Sequence, residues 1–300
     1  MSGHRILCLF LVLFLLFAQG GAISSGYASP RSGPESLLYK YHEIKKELEK
    51  DPGPVPFYVE SSADKHASRV DIYGTVKYPF KIVKTKLLVP TNWCDIVLPH
   101  LNVRACTYKK INDTWLLDIY NVNKFSEPLK DAYQMKFVYR VSKLQPIYFD
   151  IALTAHDGPL HTKDHQFGLE AIPLKENLTF IHLRYSFNYS VFGYLLMKIF
   201  GGAKVGFSVI GTDGAGNPVY VGGVRGSSER DVACYYLAIL AYLDTLKAPP
   251  DQRYERRISQ WYDLTARFKK QLFEVKKEDY LKYKSQDWKN QQRLHGDLDR

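Results

Sequence analysis

Residues 156–165, His-Asp-Gly-Pro-Leu-His-Thr-Lys-Asp-His, gather the side chains best suited to chemistry. Imidazoles and carboxylates are zinc ligands, and a loop presenting three of them with an open fourth position would make a metal site. His156, His161, Asp164 and His165 are the candidate ligands for a metal-dependent or acid–base reaction. Their spacing follows no His-Glu-x-x-His helix, and Asp157-Gly158-Pro159 is also an ordinary turn between two strands. A solvated hairpin loop is therefore the competing reading. The glycine-rich run 222–228 before a helix start could bind an anion through its backbone, but it lacks P-loop and Rossmann spacing. Glu229 and Asp231 there already complement a helix dipole, so the run reads as a structural cap. No Gly-x-Ser-x-Gly elbow is present, so nucleophilic hydrolysis has no support and no cofactor is expected.

The elements that must carry this loop alternate apolar and polar residues. Tyr133, Met135, Phe137, Tyr139 and Val141 share one face of a strand. Ile147, Phe149, Ile151 and Leu153 do so in the next, and Ile181, Leu183, Tyr185, Phe187 and Tyr189 in a third. A period of two with one wet and one apolar face marks an antiparallel sheet. Further strands are expected over 69–76, 103–109, 114–120 and 165–172, and short helices over 80–88 and 93–98. Residues 191–200 form an apolar decapeptide too short to span a membrane, either packed as core or exposed as a flap beside a cavity. Ser228-x-x-Asp231 reads as a capping box opening a buried helix over 229–247, stopped by Pro249-Pro250. An amphipathic helix over 252–275 follows, with Tyr254, Ile258, Trp261, Leu264, Phe268 and Leu272 on one stripe.

The chain opens with Arg5, an unbroken apolar run over 6–17 and small residues, which reads as a secretory signal occupying 1–22. Cleavage after Gly20, Ala22 or Ala28 is equally compatible. The protein is thus expected to be exported, secreted or periplasmic. Residues 23–60 read as a flexible or helical leader, 61–250 as the main domain and 251–300 as an amphipathic helical extension. A formal net charge of +10 suits an anionic membrane surface better than nucleic acid in an exported protein, and equally suits a merely soluble surface. An oxidising compartment favours a disulfide between Cys94 and Cys106, with Cys234 a buried free thiol on a helix.

The order of strand, two short helices, antiparallel strands and long buried helix resembles the START-like (Bet v 1-like, SRPBCC) helix-grip superfamily. Residues 69–101, with Pro79, Trp93 and Pro99, match its opening strand and helix pair, and 229–247 matches the gripped helix. The glycine-rich stretch 201–226 and the helices beyond Pro250 depart from it. The fold class so implied is α+β: a curved antiparallel sheet packed on a long C-terminal helix, with extra C-terminal helices. The resemblance implies a cavity holding a lipid or other hydrophobic small molecule without catalysis. Trp93, Tyr133, Phe137, Tyr139, Phe149, Tyr185 and Phe187 are the candidate lining residues. A secreted enzyme using the 156–165 loop, or a structural or interaction protein of the cell envelope, are the alternatives.

Overall fold

The computed structural model describes residues 33–50, 55–200 and 205–298. The secretory leader and its cleavage points fall outside these residues, as do the predicted breaker at 51–54 and Gly201-Gly202. Ten strands are described: β1 (Phe57–Ala63), β2 (Ala67–Val76), β3 (Val103–Ile111), β4 (Thr114–Asn121), β5 (Tyr133–Gln145), β6 (Tyr148–Asp157), β7 (Thr162–Lys175), β8 (Leu178–Tyr189), β9 (Val209–Thr212) and β10 (Pro218–Tyr220). The first eight form one antiparallel sheet in the order β1-β2-β8-β7-β6-β5-β4-β3, and β9 and β10 form a separate hairpin. The helices are α1 (Pro34–Lys50), α2 (Phe80–Leu87), α3 (Asn92–Val97), α4 (Val191–Phe200), α5 (Gly223–Asp244), α6 (Arg253–Ala266), α7 (Lys269–Leu272) and α8 (Lys277–Leu298). The architecture is a helix grip of the α+β class, an antiparallel sheet closed by a long helix, with additional C-terminal helices.

The two faces of the sheet are covered differently. On the inner face, α2, α3, α5 and α6 bury one continuous core that includes Ile72, Trp93, Phe149, Leu169, Leu183, Tyr236 and Trp261. On the outer face, α1 lays Leu37, Ile44 and Leu48, which share one side of the helix, against Tyr73, Tyr148, Ile172 and Phe180. Helix α5 is apolar over most of its circumference because sheet and α6 enclose it. Its approach to β2 is close enough that a Cβ on Gly74 would fall 2.1 Å from Tyr236 Oη, so only glycine fits there.

Three elements depart from the sequence-based expectation. Helix α5 begins at Gly223, not at Ser228. Ser228 sits inside it, donating to Val224 O, and the Glu229 carboxylate accepts from the Phe207 and Ser208 amides at 2.6 and 2.9 Å. The predicted capping box is thus replaced by tertiary hydrogen bonds. The helix predicted over 252–275 breaks at Phe268, whose ring turns into a cluster with Phe57 and Phe207 at 5.3 and 5.5 Å. Strand β1 begins within the predicted leader, crosses its boundary with the main domain and forms one sheet edge.

The other edge, β3, is covered by α8. Lys284 Nζ donates to His100 O and Val103 O at 3.0 and 2.6 Å, and the Cys106 amide donates to Gln291 Oε1 at 2.8 Å. Asp287 completes the contact by pairing with both Lys284 and Arg104, all three buried. Cys94 of α3 and Cys106 of β3 form the expected disulfide. Cys234 lies outside the disulfide and is half-buried, not buried as expected, because it sits towards the side of α5 that the core does not fully enclose. Among the described residues, no helix is long and apolar enough to cross a membrane.

Candidate ligand-binding cavity

A cavity of about 270 Å³ lies between the inner sheet face, α3, α5 and the Pro159–Leu160 loop, with Met197 of α4 at its side. Its existence follows from geometry. The sheet supplies Met135, Phe137, Leu153 and Phe167, and α3 adds Trp93 and Val97. Trp93 is fixed: its Nε1 donates to Leu87 O at 2.9 Å and its ring meets Phe167 edge-on at 5.4 Å.

Polar groups enter the same space from β7, β8 and α5: Thr162, His165, Tyr185, Ser227, Arg230, Asp231 and Tyr235. His165 is buried, stacks on Phe187 at 5.3 Å, and contacts Tyr185 Oη through Nδ1 at 2.6 Å and Thr162 Oγ1 through Nε2 at 3.0 Å. Burial lowers its pKa from 6.5 to about 4, against the weaker pull of Asp164 and Asp157, so the imidazole is neutral at physiological pH. Burial raises the Tyr185 and Tyr235 phenols, and the charge of Asp231 adds to both shifts, so both stay protonated. Arg230 is paired with Glu274.

The candidate lining residues separate along the face they share. Trp93, Phe137, Tyr185 and Phe187 line the cavity. Tyr139 and Phe149 point the same way but lie where α2 closes the sheet: Tyr139 donates to Leu88 O at 3.0 Å and Phe149 packs on Phe80. Tyr133, at the start of β5, is exposed. The strands' period identifies the face, whereas the helices decide which part of it stays open.

The 156–165 loop does not gather a metal site. His156 is exposed and contacts Asp164 at 3.2 Å, His161 packs against Phe192, and His165 turns inward. Among the described residues no three His, Cys, Asp or Glu side chains converge to hold a metal ion. Leu160, His161 and Asp164 have φ of 56°, 60° and 54°, so the loop follows a left-handed path that scatters these side chains. Sequence reasoning missed Thr162, Ser227, Arg230, Asp231, Tyr235 and Met197. The Arg230-Asp231 pair, just before the apolar run of the buried helix, was the available signal, and the capping-box reading absorbed Asp231.

No family model matches the sequence, and comparison with curated proteins returns no match. Solved structures share its general layout. The Zhui aromatase/cyclase from Streptomyces sp. R1128 is 14% identical, with 42% of this chain and 70% of that one covered at a TM-score of 0.34. A conserved protein from Geobacillus kaustophilus is 11% identical, covering 60% and 95% at 0.36. Human StAR-related lipid transfer protein 5 is 12% identical, covering 51% and 83% at 0.30. The topology resembles a START-like helix grip. The resemblance lies in the order of strands and helices.

Proposed function

We propose that this protein is an exported, non-catalytic carrier of a lipid or other hydrophobic molecule held between the sheet and α5. The observation behind this reading is an apolar cavity with a few convergent polar groups, the usual form of a small-molecule site. Its polar groups bond mainly to one another and to the protein, which favours holding a ligand over transforming it. Export is supported by the apolar leader and by a disulfide, which persists in oxidising compartments. Helix α4 exposes Val191, Phe192 and Leu195, with Lys198 on the same helix and Met197 at the cavity. In this reading α4 faces an anionic membrane.

Native mass spectrometry of the protein purified from its own host tests the proposal. The expected result is a bound apolar molecule, released on denaturation, on a chain beginning after Gly20, Ala22 or Ala28. Leu153→Trp, which fills the cavity, is expected to lose that molecule while remaining folded, and the wild type is expected to float with anionic but not zwitterionic vesicles. A folded protein that carries no ligand and takes none up would overturn the reading.

A further inference from the structure

The hydrogen bonds around His165 admit one arrangement of protons. A carbonyl can only accept, so Thr162 Oγ1 donates to Pro159 O at 2.6 Å. Thr162 Oγ1 must then accept from His165 Nε2, which therefore carries the hydrogen. The neutral imidazole leaves Nδ1 as a bare lone pair, and the Tyr185 hydroxyl donates to it. The order is held tightly, since a Cβ on Gly158 would fall 2.1 Å from His165 Nε2 and 2.6 Å from Thr162 Oγ1. The donors run one way, from Tyr185 through His165 and Thr162 to the Pro159 carbonyl. Tyr185 Oη, at the head of this relay in the cavity wall, has its hydrogen engaged and only lone pairs to offer.

The polar lining also includes Tyr235, His100, Asn102, Asn121 and Asn123. Ser228 donates to Val224 O and accepts from Ser68, and Arg230 is paired with Glu274. Ser227 keeps a buried hydroxyl without a partner, able to donate or accept. Asp231 adds negative charge to the lining. A ligand group at Tyr185 must therefore donate, and one reaching Ser227 as well can also accept. A hydroxyl does both. A carboxylate meets lone pairs at Tyr185 and the charge of Asp231, unless Tyr185 turns away and leaves buried Nδ1 unpaired. The volume, about 270 Å³, lies just below the usual range for small-molecule sites and suits one compact ligand.

We propose that the cavity selects compact apolar molecules ending in a hydroxyl and rejects carboxylate-ended molecules of the same length, because Tyr185 presents only acceptor capacity. This rests on the cavity being a ligand site. The test is calorimetric titration of the delipidated, disulfide-intact protein with decanol, methyl decyl ether and decanoate. Decanol is expected to bind about 10- to 100-fold more tightly than the other two. Tyr185→Phe is expected to shrink the advantage of decanol over methyl decyl ether, while hydrocarbon binding persists and the Asp231 charge still disfavours decanoate. Thr162→Val removes the acceptor for Nε2–H, freeing His165 to protonate Nδ1 and Tyr185 to donate, so the penalty on decanoate is expected to shrink. Nitrogen-15 spectra of the histidines, read without ligand, are expected to show His165 as the Nε2–H tautomer even if a variant fails to fold. Equal affinities, tighter decanoate or the Nδ1–H tautomer would overturn this inference alone. Failure of all three compounds to bind would remove the cavity reading as well.

Discussion

Two buried histidines stand on opposite faces of one sheet, and their partners give them opposite characters. His165 faces the cavity, and its ring nitrogens meet the hydroxyls of Tyr185 and Thr162, with no carboxylate on either. His182 lies under α1's face of the sheet with Nε2 2.8 Å from Asp71 and Nδ1 2.8 Å from Glu170. Burial disfavours charge on both, but two carboxylates overcome it at His182 and raise its pKa, whereas nothing comparable does at His165. The outer network is closed by further protein partners. Arg69 holds Asp71 at 2.7 and 3.0 Å, Tyr148 donates to Glu170 at 2.5 Å, and Tyr73 stacks on the imidazole at 4.2 Å. It ties β2, β7 and β8 together and leaves no room for a guest. The inner network ends at an open space with lone pairs unused. Buried polar chemistry marks a site only where it stops short of completion.

The largest expected effect that separates the faces is His182→Ala. Two buried carboxylates would lose the cation between them, and removing one partner of such a group costs about 3–5 kcal/mol. Urea unfolding is expected to show this loss, while the folded variant binds ligand as the wild type does. A loss below about 1 kcal/mol would make the outer network no stronger than a surface pair.

The pH dependence sharpens the contrast. His182, raised on folding, contributes fully below its ordinary value of 6.5, and that contribution fades as pH climbs through its folded value. His165, lowered to about 4, contributes fully above 6.5 and loses that contribution as pH falls toward 4. At about 1.4 kcal/mol per unit, the second effect amounts to about 3 kcal/mol. On acidification the stability gap between wild type and His182→Gln is expected to widen, and the gap to His165→Gln to narrow. Parallel slopes would sink the assignment of opposite charge states.

The smallest effect is a pair of hydroxyl deletions. Tyr148→Phe and Tyr185→Phe each remove one hydrogen bond to a buried partner, worth about 1–3 kcal/mol. Calorimetry is expected to show a stability change for both but a change in ligand preference only for Tyr185→Phe. An equal shift in preference for Tyr148→Phe would mean that the faces are not independent.

Much of this division was legible in the residues. The alternation of β5, β6 and β8 identifies the inner face, and Phe137, Tyr185 and Phe187 follow from it directly. The same alternation includes Tyr139 and Phe149, because a period of two contains nothing about where α2 lands. Strand β1 escaped detection since every one of its residues is half-buried, leaving no alternation to read. Glu229 looked like a helix-capping acid, and only the fold shows that its partners lie on 207–208. His165 reads in the sequence as one of a set with His156 and His161. A left-handed turn sends His156 outward and His165 into the cavity, and pattern alone does not resolve that.

The covering of β3 by α8 carries a consequence for synthesis. Strand β3 is laid down about a third of the way along the chain, yet the Lys284 and Gln291 groups that bond its free side come from the last helix. Until α8 has been made, the growing sheet presents an open row of amides and carbonyls to whatever strand is near. The chain therefore emerges with an unguarded seam, and α8 is the segment that closes it.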